Sequence, residues 1–569
     1  MESDVTATRV LGIAVSLVVG ACASHDRDAA VGEGEHRSAA KSNAAETTTA
    51  GKSDSTARAA PTDPHGDVAH DLVEPGLIER PIGLRSGIGS VHQSVTAPAN
   101  DDVATAQARR YFDQGLTLLH DFVWIDAARS FQETLRRSPD CALAWVGLSR
   151  AQSGLGDAPA ARAAIEKARA AAPKVTQREQ RFVELRALQL DAMEASGDKQ
   201  KELHAQYKKA LEQAIAEFPD EVEFTMLRAN AEEPSPGGIG QVAERGSIEW
   251  YQRVADAVPD HVGAHHGLCH AWENAGEYAK ALADAEKFRD LAPAVPHSWH
   301  MCGHDLPRLG RWQDALAQFA KSEELHAEQA AAEHLRPGDD WHRAHNLLLL
   351  GYTQLRLVFA NEVAPDVAIA TFRQQFETPI RSGRPRYTHA ALAEALLALQ
   401  RDDEALPVTQ QLQTYEQPAG TRSAGAALEG EILLRRGDRA AAQRKLEQSD
   451  AALAEEDAGG AEKSPTSKPP SATPPAAPKP APNKGVRIHR TMLAAMLDLQ
   501  GDAESAARGE QALLSFADEI AGNARFDAWG EGLFRLDRAW HVATQAGYAD
   551  LAAKLRERMA KIDPQFEPR

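Results

Sequence analysis

The chain has 569 residues, 43% hydrophobic and 25% charged, enough for several ordinary domains or one long repeat array. Its 82 acidic residues outnumber 63 basic ones for a net charge of −19, which argues against a general nucleic-acid binder, and 4 cysteines exclude a disulfide scaffold. Histidine is the anomaly: there are 21, and they bunch in one region.

From the N-terminus, Leu11 to Ala21 is an apolar run of 11 residues, too short to span a bilayer and the length of a signal-peptide hydrophobic region. It ends in Val19-Gly20-Ala21-Cys22. Small residues before a lone cysteine resemble a bacterial lipobox. The resemblance implies that residues 1–22 are a lipoprotein signal peptide and that Cys22 carries the lipid, which anchors the protein to a membrane surface. Ala23 rather than Asp follows the cysteine, which implies the outer membrane of a Gram-negative cell, facing the periplasm. No other segment reaches 18 apolar residues. Residues 23–100, rich in Ala, Ser, Thr, Asp and Gly, are expected to form a disordered tether.

From about residue 101 the apolar residues take the helical period. Pro139 and Pro173 lie 34 residues apart, and so do Pro259 and Pro293. With Pro at position 32 of a 34-residue unit, residues 142–175 place Trp145 at 4, Leu148 at 7, Ala161 at 20 and Ala168 at 27. Residues 108–141 place Tyr111, Gly115, Ala127 and Phe131 at 4, 8, 20 and 24. Residues 262–295 carry Ala281, and 296–329 carry Trp299, Gly303, Ala315 and Phe319. The pattern resembles a tetratricopeptide repeat, which implies an all-α superhelix of antiparallel helix pairs. Small residues would let two helices approach to roughly 8–10 Å, large ones would fill the gaps, and Pro would end the second helix. One pair cannot bury its own apolar face, so pairs must stack. Weaker copies are expected near 188, 222, 344, 386, 423, 487 and 533. The array is thus expected over 101–457, a Pro/Ala-rich linker over 458–486, and further repeat-like helices over 487–569, as a separate cap.

In the resembling family, positions 2, 5, 9 and 12 of each unit's first helix face a concave groove. In this frame they are His266, His270 and Glu273 in one unit, His297, His300 and His304 in the next, and His345 in the third. Two HxxxH pairs sit one unit apart, and an i,i+4 pair puts both imidazoles on one helical face. Four imidazoles are expected to converge on one patch of groove. HxxxH can supply two ligands at about 2.0–2.1 Å from zinc, and Glu273 would add the carboxylate that suits iron. His266, His270, His300, His304, His345 and Glu273 are therefore the candidate ligands for a transition metal: zinc, copper or iron. His265 falls at a packing position and is expected in the core; His261, His326 and His334 are expected in loops or at helix ends. The stretches from Ala264 to His270, His300 to His304 and His345 to Leu347 resemble uncharacterised bacterial tetratricopeptide proteins with His-rich first helices. In that pattern a further His follows Asn-Leu, where this chain has Leu348.

Cys141, Cys269 and Cys302 form no CxxC and are expected to pack. Gly237 to Gly240 reads as a turn, since no strand precedes it, and Arg435, Arg436 and Arg439 read as a solvated face. Two functions follow. One is an envelope-anchored scaffold holding a protein or peptide in the groove. The other is a metalloprotein, carrier or enzyme, built on the paired HxxxH ligands. A third arrangement fills the groove with the chain's own linker.

Overall fold

Segments rich in Ala, Leu, Glu, Arg and Gln become helices wherever Pro, Gly or a capping side chain does not interrupt them. The computed structural model describes residues 73–96, 103–378, 390–415, 419–462, 484–522 and 531–568, apart from positions 75, 244 and 337. The first twelve helices are α1 (Val103–His120), α2 (Trp124–Arg137), α3 (Ala142–Gly154), α4 (Ala158–Ala171), α5 (Gln177–Glu194), α6 (Gly197–Glu217), α7 (Val222–Asn230), α8 (Arg245–Ala257), α9 (Val262–Asn274), α10 (Tyr278–Leu291), α11 (Pro296–Asp305) and α12 (Trp312–Glu333). Ten more follow: α13 (Trp341–Phe359), α14 (Pro365–Glu377), α15 (Ala391–Ala398), α16 (Asp402–Leu412), α17 (Ala419–Arg435), α18 (Arg439–Glu462), α19 (Lys484–Leu499), α20 (Ala503–Gly522), α21 (Glu531–Gln545) and α22 (Ala549–Ile562). Each odd-numbered helix packs on the even-numbered one after it, and the described residues contain no strand. The fold is an all-α array of helix pairs, an α-solenoid.

The 34-residue register is visible in the helix starts: 262 and 296 for α9 and α11, 278 and 312 for α10 and α12. Its cause is visible too. A Cβ on Gly115 would sit 2.8 Å from the Phe131 ring, and one on Gly303 would sit 2.5 Å from Phe319. Glycine at position 8 is the space that an aromatic at position 24 fills. Ala127, Ala161, Ala168, Ala281 and Ala315 are fully buried between helices. Position 4 latches the preceding turn: Trp145 Nε1 donates to the Pro139 carbonyl at 3.0 Å and Trp299 Nε1 to that of Pro293 at 2.9 Å. His265 makes the same contact with the Pro259 carbonyl at 2.9 Å, and its Nδ1 meets Asp284 at 2.8 Å. It is half-buried and ties a turn, so the expectation of a core residue is corrected.

One repeat start is corrected as well. The copy expected near 188 falls inside α5, because the Thr176–Glu179 capping box starts that helix earlier and α5 and α6 run to 18 and 21 residues. The starts expected near 222, 344, 423, 487 and 533 lie within four residues of α7, α13, α17, α19 and α21.

Two large cores result. One gathers Phe112, Phe131, Phe182, Phe224, Phe288 and Met301. The other gathers Tyr352, Phe372, Leu396, Leu428, Met496, Phe534 and Leu555. The second core draws on α13–α18 and α19–α22 together, so the C-terminal helices are part of it and not a separate cap. Residues 76–96, expected within the tether, also pack on the array. Leu77, Ile78, Ile82, Ile88 and Val91 are buried, Arg85 N donates to Gln114 at 2.7 Å, Val91 N donates to Thr117 at 2.9 Å, and Ala294 N donates to the Gly87 carbonyl at 2.7 Å. Their apolar residues are spaced one to six apart, a pattern that average composition hides.

The array curls until its first pair meets its later ones. Arg129 pairs with Glu333 at 2.7 Å, Gln329 donates to Asp126 at 2.7 Å, and α1 packs on α9. The expected signal peptide with Cys22, most of the expected tether and residues 463–483 of the expected linker lie outside the described residues. Among the described residues no helix is long and apolar enough to cross a membrane.

Candidate metal centre

Three first helices carry the histidines: α9, α11 and α13. Pro296 at the first turn fixes the start of α11, and Gly303 lets α12 close on it, so His297, His300 and His304 are held against α9 and α13. His266, His270, His297, His300, His304 and His345 are only 1–7% exposed. They form two sets of three whose ligand atoms lie within 4.8 Å of one another: His266, His270 and His297, and His300, His304 and His345. The expected single patch of four imidazoles is thus divided, with His297 completing one set and His345 the other. The sets adjoin, because the His297 and His300 rings stack with centroids 5.5 Å apart.

The hydrogen bonds fix the tautomers in the second set. Asn346 donates Nδ2 to the Phe319 carbonyl at 3.0 Å, so its Oδ1 faces His300 Nδ1 at 3.0 Å and accepts from it. Glu273 Oε1 accepts from His304 Nδ1 at 3.1 Å. Both Nδ1 atoms therefore carry the proton of a neutral ring. The two Nε2 atoms are then the unprotonated ones, and they face each other at 2.9 Å. Two nitrogens around one zinc ion sit about 3.3 Å apart, by bond lengths of about 2.0–2.1 Å and a tetrahedral angle. A shared extra proton would also bridge them. Burial opposes it: burial, then the neighbouring His304 and His345, push His300 well down, and burial pushes His304 down despite the Glu273 charge beside it. His345 is pushed down by burial to about 3.

The first set is built alike but less tightly. His266 Nδ1 donates to the His120 carbonyl at 2.7 Å, and its Nε2 faces His297 Nε2 at 3.1 Å. His270 Nε2 and His297 Nδ1 are buried with no hydrogen-bond partner among the described residues. Burial pushes His266 and His297 well below the usual histidine range.

Glu273, expected among the ligands, stands one step back. It holds the far ring nitrogen of His304 and pairs with Arg308 at 2.7 Å, the position of a carboxylate that orients a ligating imidazole. Burial works against its charge, but His304 and Arg308 outweigh burial and hold the carboxyl well below its usual range.

Three contributors lie outside the repeat frame. Phe122, in the turn between α1 and α2, covers the first set with its ring 4.3 Å from His266 and 5.7 Å from His297. Its φ of 61° is a strained conformation for an aromatic residue. His342 lies 4.7 Å from the His297 ring; its i,i+3 spacing to His345 was a signal available in the sequence. His120 forms a third group with Glu223 and His261. His261 caps α9 by accepting from Ala264 N at 3.2 Å, so its Nε2 carries the proton and donates to Glu223 at 3.0 Å. His120 Nε2 meets the other Glu223 oxygen at 3.0 Å. Burial opposes the Glu223 charge, but the two histidines outweigh it and keep the carboxyl ionised. This group is satisfied by hydrogen bonds alone. His261 and His334 do sit at helix ends, whereas His326, expected there too, is buried within α12.

The remaining candidates resolve simply. Cys269 and Cys302 are buried, and burial pushes the Cys302 thiol up to about 12, so both serve as small packing residues. Arg435 is not on a solvated face: its side chain is buried and pairs with Glu431 at 2.6 Å and Asp402 at 3.1 Å. Arg436 is exposed beside Asp403.

No family model and no curated protein matches the chain. Among solved structures it is similar to a tetratricopeptide repeat protein from Parabacteroides merdae ATCC 43184, at 13% identity and a TM-score of 0.33, over 48% of this chain and 93% of that one. It is also similar to MamA MSR-1 C2, at 16% identity and a TM-score of 0.22, over 33% of this chain and 98% of that one. The paired helices, their 34-residue register and the glycine–aromatic packing make this fold a tetratricopeptide-type array.

Proposed function

We propose that this protein binds a transition metal through His300, His304 and His345, with Glu273 and Asn346 orienting the first two imidazoles on the far side. The observation that carries this reading is the two unprotonated Nε2 atoms facing each other 2.9 Å apart in a buried site that disfavours a bridging proton. Three neutral imidazoles suit zinc or copper and leave a coordination position open. Glu273 is engaged by His304 and Arg308, which favours an all-nitrogen donor set over the iron-type set with a carboxylate. The test is elemental mass spectrometry on the untagged protein and on the His300→Ala/His304→Ala double variant, with circular dichroism as the folding control. Near-stoichiometric metal, lost in a variant that keeps its helicity, is the expected result. Equal metal in both proteins, or no uptake on titration with zinc, copper or iron, would sink the proposal.

The second reading is the scaffold, a tandem helix-pair surface that holds a protein or peptide partner. The repeat itself favours it. Burial of the histidines separates it from the metal site, so partner capture by cross-linking should survive the double histidine variant. The address at the bacterial envelope rests on Val19-Gly20-Ala21-Cys22. Cys22→Ser should move the protein from the membrane fraction to the soluble one; an unchanged distribution would count against the anchor.

A further inference from the structure

A cavity of about 330 Å³ lies between α1, α3, α5, α7, α9 and the loop from Glu233 to Val242. Leu119, Phe122, Trp124 and Met226 give it an apolar wall, and His266 and His270 reach it from the metal-centre side. Its volume is that of a small-molecule pocket.

Two guanidinium groups line it, from Arg150 on α3 and Arg186 on α5. Arg150 makes no hydrogen bond among the described residues; the Glu223 carboxylate is the opposing charge that acts on it, and burial outweighs that charge and pushes the guanidinium down. Among the described residues Arg186 gives its hydrogen bonds only to neutral groups: Ser149 Oγ at 3.0 Å, the Ser149 carbonyl at 2.9 Å, Gln189 Oε1 at 2.6 Å and Ser153 Oγ. The nearby carboxylates take their hydrogen bonds from other groups, though the Glu223 charge is felt at Arg150. Glu233 on the opposite wall accepts from the backbone of Gly240 and Val242, and Glu223 from His120 and His261. Burial, and then the charge of Arg150, push Arg186 down to about 9, the mark of positive charge without a counter-ion. A buried guanidinium beside a half-buried one is costly to fold, and a cavity beside them gives that cost a use. Guanidinium groups match the planar and tetrahedral oxyanions by paired N–H donors.

We propose that this cavity binds a small organic oxyanion, carboxylate or phosphate, whose charge Arg150 and Arg186 neutralise and whose apolar body lies against Phe122, Trp124 and Met226. The site goes beyond the metal reading and needs no metal. The loop from Gly237 to Gly240, which reads as a plain turn in the sequence, is one of its walls.

The test uses the full chain in low-salt buffer, with isothermal titration of benzoate, succinate, phenyl phosphate and inorganic phosphate. At least one organic probe should bind, and Arg150→Met should weaken it tenfold or more, with Arg150→Lys recovering part of the loss. Arg150 is the clean position, because its removal breaks no hydrogen bond. Preference for phenyl phosphate over benzoate would assign a phosphate ligand; the reverse, a carboxylate. Binding should persist in the His300→Ala/His304→Ala variant, which separates this proposal from the metal one. Binding of none of the four probes, or equal binding to Arg150→Met, would overturn it.

Discussion

At the scale of single residues, the centre depends on which ring nitrogen each histidine presents, and carboxylate and amide oxygens on the opposite side decide that. Glu273→Gln keeps the shape of the contact to His304 but removes its charge. Metal affinity should fall by about 10- to 100-fold with helicity unchanged, as read by competition with a chelator. The same burial makes the metal-free protein sensitive to acid. His345 titrates near 3 when folded, against about 6.5 unfolded, so between those values the unfolded chain binds more protons. Stability is therefore complete above about pH 6.5 and is lost as the pH falls toward 3. Each such histidine contributes up to about 1.4 kcal/mol per pH unit. Urea midpoints of the chelator-treated protein should drop steadily from pH 7.5 to 5.5; a flat profile would show that these rings are not buried in the neutral form. The HxxxH pairs were legible from their spacing, and His345 from the repeat frame of the resembling family. The orienting role of Glu273 was not, because spacing places a carboxylate near a ring without telling which nitrogen it meets. Phe122 and His120 carry no repeat position and left no signal.

At the scale of helices, position 8 of each unit sets how closely a pair can approach, and the histidines depend on that approach. Gly303→Ala would drive a methyl into Phe319, 2.5 Å away, and push α11 from α12. Gly115→Ala does the same to α1 and α2 against Phe131, at 2.8 Å, in a pair with no candidate ligand of the second set. Each should cost about 1–3 kcal/mol in denaturant melts. Only Gly303→Ala should also weaken metal binding, because His300 and His304 flank the displaced glycine; equal metal affinity in the two variants would break the link between pair packing and site geometry. Helix positions were legible where Pro, Trp and small residues kept the 34-residue frame. The frame failed at α5 and α6, where a capping box and two long helices set their own length.

At the scale of the whole molecule, contacts between distant parts of the chain decide what the helix faces meet, and the sequence period does not encode them. The curl that brings the His120 carbonyl onto His266 joins residues 146 apart. It covers a histidine face that the repeat pattern alone leaves on an open groove. The C-terminal helices show the same effect. Across the expected linker, Arg538 meets Glu431 at 2.6 Å, Arg535 meets Glu394 at 2.9 Å and His489 meets Glu394 at 2.8 Å, all buried. Burial opposes the Glu431 charge, yet Arg538 and Arg435 outweigh it and hold the carboxyl low. Residues 484–568 are thus held by their own core contacts as well as by the chain. A site-specific protease sequence placed between 463 and 483 should therefore cut the protein without dividing it, and the two pieces should co-elute in size-exclusion chromatography. Separation of the C-terminal piece would show that α19–α22 fold apart from α13–α18. Glu431→Gln supplies the sharper form of the test. It leaves Arg538 buried without its full counter-charge, a loss of about 3–5 kcal/mol for a broken buried pair, and in the cut protein that loss falls on the association itself. The cut Glu431→Gln protein should release its C-terminal piece under conditions where the cut wild type does not.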